Sequence, residues 1–332
     1  MSSKKNIKQS EIIVAELQKR SKRALELAKK WILAEKVEHK ELHDALEHYV
    51  SNWNDFTHPG LFSLACEAVG GDPDNVVQVQ ASMTMMAAAF DIHDDIIDKS
   101  KAKHGIPTVF GKFGKDIALL LGNAFMIEGF TLFCKSLDNF QKEKAKVYET
   151  LKMSLFELGN AHALELDLKE QVDVTPEKCM QIVKMKAASV EADMRIGAIV
   201  GGGTNSQIEA LTMYARALGV LATLREEFID VFEIEELNQR ISNEYLPVPV
   251  IYAMQDKNSK SKIEKLLLAK GKIAKKDIDK LVYVVLKAEN VKKLKEEIKG
   301  ITEKAMGVVV KIRNHKIENQ LGKLVAYTLE DL

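Results

Sequence analysis

The chain has little of several things, and each shortage narrows the reading. Three cysteines in 332 residues, Cys66, Cys134 and Cys179, stand far apart in apolar surroundings. They show no paired metal-ligand spacing and read as packing thiols in a reducing compartment. There is no excess of charge: Lys plus Arg and Asp plus Glu both total 48, so no net field recommends nucleic acid or an anionic membrane as partner. No stretch reaches the length of a membrane span without a charge, and the first residues, MSSKKNIKQSEIIVAELQKR, lack the apolar core of a signal peptide. A cytoplasmic protein without a membrane span is expected. Alternating β-branched runs joined by hairpin turns are missing too, which argues against a mixed-sheet fold.

The six prolines sit in short breaks, Pro59, Pro73, Pro107 and Pro176 beside Gly, Asp or Thr and Pro247 and Pro249 close together, and the long intervals between them carry apolar residues at helical spacing. The pattern predicts an all-α chain. Helices are expected to start at Asp72-Pro73-Asp74 and at Thr175-Pro176-Glu177, and to end or bend at Gly70-Gly71 and Gly201-Gly202-Gly203. No linker splits the chain, so residues 1–332 are read as one domain. From Lys257 onward lysines interleave with Leu, Ile and Val, but acidic residues are mixed in, which predicts outer helices with solvated faces.

Within ASMTMMAAAFDIHDDIIDKS the residues before Asp91 are apolar or small on every side, the mark of a helix buried all round. Four carboxylates follow. Asp94 and Asp98 share one helix face, as do Asp91 and Asp95, and like charges one turn apart repel. Buried unpaired carboxylates cost several kcal/mol each, unless a cation neutralises them. Oxygen-only ligands suit a hard ion such as Mg²⁺, which takes one or two carboxylates and completes its shell with phosphate and water. The plainer reading is a helix that emerges into solvent at Asp91 with an acidic tip.

Asp94-Asp95-Ile96-Ile97-Asp98, His104-Gly105-Ile106-Pro107-Thr108 and the run from Phe113 to Asn123 together resemble the first motif region of the trans-polyprenyl synthase family. Residues 61–71, LFSLACEAVGG, resemble the segment after that family's first basic motif, Lys186-Ala187 its Lys-Thr pair, and Leu218-Gly219 with Glu226-Glu227-Phe228-Ile229-Asp230 its second acidic motif. The resemblance implies an isoprenoid synthase-type helical bundle with a central, mostly apolar cavity. It implies ionisation of an allylic prenyl diphosphate, with Mg²⁺ ions held between two facing carboxylate motifs. On it, Asp94, Asp95, Asp98 and Lys186 are the catalytic candidates, Asp94, Asp98, Glu226 and Asp230 the metal ligands, and Lys103 and Lys186 the binders of the allylic diphosphate. It further implies a homodimer, or a heteromer with an active homologue.

The second motif reads two ways. Glu226, Glu227 and Asp230 repeat the spacing of a metal-facing wall, but the family has aspartates where this chain has Glu226 and Glu227. A glutamate reaches about 1.5 Å further, and Mg²⁺ tolerates little error around ~2.1 Å. Arg225 could instead pair with Glu226 or Glu227 in a plain ion network.

The likeness breaks at the second substrate. Where the family grips isopentenyl diphosphate with basic residues, this chain has Asp55, His58, Ala87 and His104, with Lys103 in place of an arginine on the allylic side. Asp55 repels a diphosphate, and a histidine of ordinary pKa is mostly neutral at pH 7. The segment from Val231 to Pro247, read as a shortened loop, keeps Arg240 as its only basic residue. The favoured expectation is an enzyme, terpene synthase-like, that ionises an allylic diphosphate of farnesyl to geranylgeranyl length without elongating it. The alternatives are a chain-elongating prenyltransferase and a non-catalytic regulatory subunit of a heteromeric synthase. Met83, Met86, Ala87, Ala89 and Phe90, in the turns before Asp94, are expected to line the prenyl cavity. Ala89, five places before the first aspartate, would leave it open to a long chain.

Overall fold

The computed structural model describes residues 9–103, 105–169, 174–268, 273–310 and 314–330. Among them lie fifteen α-helices and one two-residue hairpin, the all-α fold that the sequence pattern predicts. His104, at a position the family fills with an arginine, falls outside the described residues. The chain forms two compact units, Met1–Leu151 with Asp193–Leu211, and Lys152–Ala192 with Thr212–Leu332.

The first unit holds α1 (Gln9–Ala34), α2 (Lys40–Asn52), α3 (Thr57–Ala68), α4 (Val77–Ile97), the hairpin β1 (Ala102–Lys103) and β2 (Ile106–Pro107), and α5 (Val109–Ser136). Asp72 caps a short turn at Pro73–Asn75 by accepting the amide of Asp74, and α4 follows directly, as the Asp-Pro-Asp signal predicts. Helix α4 is buried on most sides from Val79 to Ala89 because it runs between α5 and the α1/α3 pair. Ala88, Ala89 and Ile92 of α4 pack with Leu121 and Phe125 of α5 and with Trp53 into one cluster. Two glycines of α5 are required by geometry. Gly114 adopts φ 81°, a left-handed conformation that kinks the helix. At Gly122 a Cβ would come within 2.4 Å of the His93 ring, so only hydrogen fits. By length and composition α5 with its continuation, Val109–Asn139, could cross a membrane; in the fold it lies along α4.

Helices α6 (Lys144–Lys169), α8 (Ala188–Val200) and α9 (Asn205–Phe232) each contribute to both units. The second unit adds α7 (Pro176–Lys186), α10 (Ile234–Asn243), α11 (Val248–Met254), α12 (Lys257–Leu268), α13 (Lys275–Lys287), α14 (Glu289–Val309) and α15 (His315–Thr328). Thr175 caps α7 through its hydroxyl and Pro176 stands at the first helical position, again as the sequence predicts. The lysine-rich region folds as amphipathic helices: α13 buries Leu281 and Val285, and α14 buries Val291, Leu294 and Ile298. One expectation is corrected. The segment from Val231 to Pro247 is not a loop, because Ile234–Asn243 is helical, with acidic residues in its first turn and Leu237 and Arg240 buried on one face.

Candidate active site

The first acidic motif ends α4. Asp98 is its last half-helical residue, Lys99 follows at φ 57°, and the Ser100 amide bonds back to the Asp95 carbonyl, which closes the helix end. Carboxylates in a last turn face the negative end of the helix dipole, so Asp94, Asp95 and Asp98 depend on cations. One is built in. Lys103 lies 2.7 Å from Asp91 and 2.8 Å from Asp95. Burial works against the charged ammonium, yet Asp91 and Asp95 outweigh it and hold the Lys103 pKa above the ordinary lysine value. Burial pushes Asp95 up to about 7, against the pull of Lys103. The hairpin fixes this contact: the Thr108 hydroxyl donates to the Ser100 carbonyl at 2.6 Å and accepts the Gly111 amide, and the His48 ring bonds the Pro107 carbonyl.

A cavity of about 410 Å³ opens beside the motif, lined among others by Tyr49, Asp55, His58, Ala87, Asp91, Asp95 and Lys103. The structure thus brings Asp55, His58, Ala87 and Lys103, positions at which the likeness to the synthases breaks, together with Asp91 and Asp95 of the first motif, and Asp55 adds a third carboxylate to the lining. Two cations among its described lining residues, Lys103 and His58, are both claimed. His58 Nδ1 is 2.5 Å from the buried Asp193 carboxylate, and although burial opposes the charge, Asp193 and Asp55 raise the His58 pKa to about 10. His58 is therefore an imidazolium at neutral pH, not the neutral ring of an ordinary histidine. Asp55 also holds the start of α3, its Oδ1 accepting the amides of Thr57 at 3.0 Å and His58 at 3.3 Å. Asp94 and Asp98 are half-buried, and the face they share is not the one that Asp91 and Asp95 turn to this cavity.

Of the residues expected to line a prenyl cavity, Ala87 lines this one. Ala89 is fully buried in the α4/α5 cluster, Met86 packs against Gly129, Met83 is buried and Phe90 half-buried. In the second unit Lys186 lies 2.5 Å from Glu165, which His162 also approaches at 3.5 Å.

The second acidic motif, in the last turns of α9, is held differently. Glu227 is buried, and one guanidinium nitrogen of Arg240 donates to both its oxygens at 2.8 and 2.7 Å. The Tyr245 hydroxyl and the Val248 amide donate to the same carboxylate, at 3.3 and 2.8 Å. Asp230 lies 3.7 Å from Arg240, and burial lifts its pKa to about 7 against that attraction. Glu226 projects into solvent, 3.5 Å from Arg225.

A divalent ion implied by the two motifs therefore fits them unequally. Asp94 and Asp98 offer hard oxygen donors one turn apart at the negative end of a helix, which suits Mg²⁺. At the second motif the acceptor sites of Glu227 are filled and a guanidinium already stands beside Asp230, so the donor set does not fit.

Residues 39–285 match the polyprenyl synthetase family model, and the chain belongs to that family. It is 31% identical over 193 residues to the short chain isoprenyl diphosphate synthase of Methanothermobacter thermautotrophicus, covering 58% of this chain and 59% of that protein. The chain spans about three fifths of the length of the curated relatives it matches. In fold it is similar to a geranylgeranyl pyrophosphate synthetase from Pyrococcus horikoshii, with a TM-score of 0.84 over 97% of this chain and 99% of that one at 21% identity. A polyprenyl synthase from Caulobacter crescentus, complexed with calcium and isoprenyl diphosphate, matches with a TM-score of 0.79 over 95% and 97% at 16% identity.

Sequence reasoning missed Asp193, Glu165 and the inward turn of Arg240. A signal existed for the first two: each is an acid flanked by apolar residues on both sides, Ala192 and Met194 around Asp193 and Leu164 and Leu166 around Glu165, in helical runs where a buried carboxylate needs a partner.

Proposed function

We propose that this chain is a Mg²⁺-dependent enzyme that ionises an allylic prenyl diphosphate of farnesyl to geranylgeranyl length and does not elongate it. The observation that carries this reading is the acidic cavity beside the first motif. Asp55, Asp91 and Asp95 line it, and among its described residues the cations His58 and Lys103 are each taken up by carboxylates. A diphosphate needs several charge-assisted donors and here meets acceptors. Bound Mg²⁺ would neutralise the leaving diphosphate and activate its departure. Asp94 and Asp98 are the residues assigned to hold it, with Asp95 beside them, and the apolar turns before Asp91 keep water from the reacting end. Lys186 is assigned to the diphosphate, which must draw it from Glu165. The names of the relatives support a prenyl diphosphate as substrate.

A second reading has its own observation. Lys186, the second unit's candidate diphosphate binder, and Arg240, the only basic residue between Val231 and Pro247, are both ion-paired with buried acids, as suits a non-catalytic partner of an active homologue. The test is incubation with Mg²⁺ and allylic diphosphates of increasing length, with and without isopentenyl diphosphate, followed by analysis of products and released diphosphate. Diphosphate release with no longer product supports the first reading. Release only when an active homologue is added supports the second, and elongation by the chain alone overturns both.

Homodimer formation is part of the proposal. The exposed apolar side chains Leu120, Ile127 and Phe130 on one side of α5 support it. Sedimentation of the purified chain as a monomer would reject it.

A further inference from the structure

The second acidic wall carries a cation of its own. Arg240 is 8% exposed and lies among three carboxylates, at 2.7 Å from Glu227, 3.3 Å from Glu244 and 3.7 Å from Asp230. Its Nε donates to the Tyr245 carbonyl, and its guanidinium stacks over the Tyr245 ring at 4.7 Å. We infer that Arg240 is the resident counter-ion of this wall, filling with a tethered guanidinium the place of a metal ion, so that divalent ions bind at Asp94 and Asp98 alone.

Three features of the site lead there. Glu227 accepts four hydrogen bonds, two from Arg240, one from Tyr245 and one from Val248, which uses the lone-pair sites a carboxylate has. No oxygen of Glu227 remains for an ion. A guanidinium cannot lose its proton in a protein and does not dissociate, so it holds one positive charge against the wall at every pH and metal concentration. Glu226, with its side chain 66% exposed, offers a single solvated carboxylate, and Mg²⁺ dehydrates too reluctantly to be held by one such ligand. The local fold makes the substitution possible. Where a loop was expected, α10 places Leu237 and Arg240 on one buried face one turn apart, and that face carries the guanidinium to Glu227.

The inference concerns ion binding and can fail separately from the proposed turnover. Equilibrium dialysis against Mn²⁺, with and without inorganic diphosphate, counts bound ions directly. Asp94→Asn with Asp98→Asn should lower bound Mn²⁺ to background, whereas Glu226→Gln with Asp230→Asn should bind as much as the parent chain under both conditions. Loss of one equivalent in the second pair, with an unchanged circular dichroism spectrum, overturns the inference. In the Asp94→Asn, Asp98→Asn background, Arg240→Gln should create a Mn²⁺-dependent rise in melting temperature that the same background with Arg240 lacks, and no rise counts against the counter-ion role. Should Arg240→Gln fail to fold, Arg240→Lys keeps the charge and is expected to bind the parent number of ions. An added equivalent in that variant also overturns the inference.

Discussion

Glu227 and Arg240 form a buried ion pair in which one guanidinium nitrogen reaches both carboxylate oxygens, at 2.8 and 2.7 Å. The pair ties the end of α9 to α10, and the Val248 amide on Glu227 ties in α11. Removing one partner leaves a charge buried and unmatched, which costs about 3–5 kcal/mol. Arg240→Ala and Glu227→Ala should each lower the unfolding free energy from urea titration by that much, and Glu227→Met with Arg240→Leu by markedly less. Equal losses in the singles and the double would mean that shape, not charge, is what the pair supplies.

Stability should depend on pH through His58. In the folded chain it keeps its proton up to about 10, against an ordinary value of 6.5 when unfolded. Between those values the unfolded chain binds fewer protons than the folded one, so stability falls as pH rises. The contribution is full below about 6.5 and gone above about 10. His58→Asn should flatten the slope and lower stability at pH 6, where Asp193 loses its partner. Urea midpoints at pH 6, 8 and 9.5 test this, and a parent curve no steeper than the variant's would contradict it.

What was legible in the sequence was local. The caps at Asp72 and Thr175, the glycine breaks and the buried run before Asp91 all stand where their spacing predicts, because each depends on neighbours within one or two turns. The ion pairs were not legible. His58 finds Asp193 across 135 residues, and Lys103 turns to Asp91 and Asp95 because a hairpin carries it back over the helix end. Arg240 was misplaced for a related reason: read as part of a loop it has no inward face, whereas in α10 it has one.

Restoring a co-substrate grip should cost stability as well as change charge. Asp55 repels a diphosphate, yet it also accepts the first amides of α3, and losing such a cap costs about 1 kcal/mol. Asp55→Lys with Ala87→His should therefore lower the melting temperature. Only in that background should isopentenyl diphosphate lengthen an allylic substrate. Elongation by the parent chain would show that the acidic cavity is no barrier.

Asp94→Ala should abolish Mg²⁺-dependent diphosphate release, a loss of at least a hundredfold, because one of two carboxylates assigned to the metal is removed. Asp91→Ala should leave more activity, since Asp91 is engaged with Lys103 and Tyr49. Release assays on both variants at saturating Mg²⁺ make the comparison, and equal activity of Asp94→Ala and the parent would remove Asp94 from the catalytic set.

Ala89 and Ala87 should answer differently to a phenyl ring. Ala89 has no exposed surface and packs with Ile92, Leu121 and Phe125, so Ala89→Phe overfills the α4/α5 interface at a cost of about 1–3 kcal/mol. Ala87 is half-buried and lines the cavity, where a ring finds space before it meets a wall. Ala87→Phe should therefore keep close to parent stability while filling the cavity beside Asp91. Thermal melts separate the two, and assays across allylic diphosphates of increasing length show which position senses the prenyl tail. A stable Ala89→Phe chain with a shortened length preference would place the tail at Ala89 after all, because a ring tolerated there must be entering space that the tail otherwise fills.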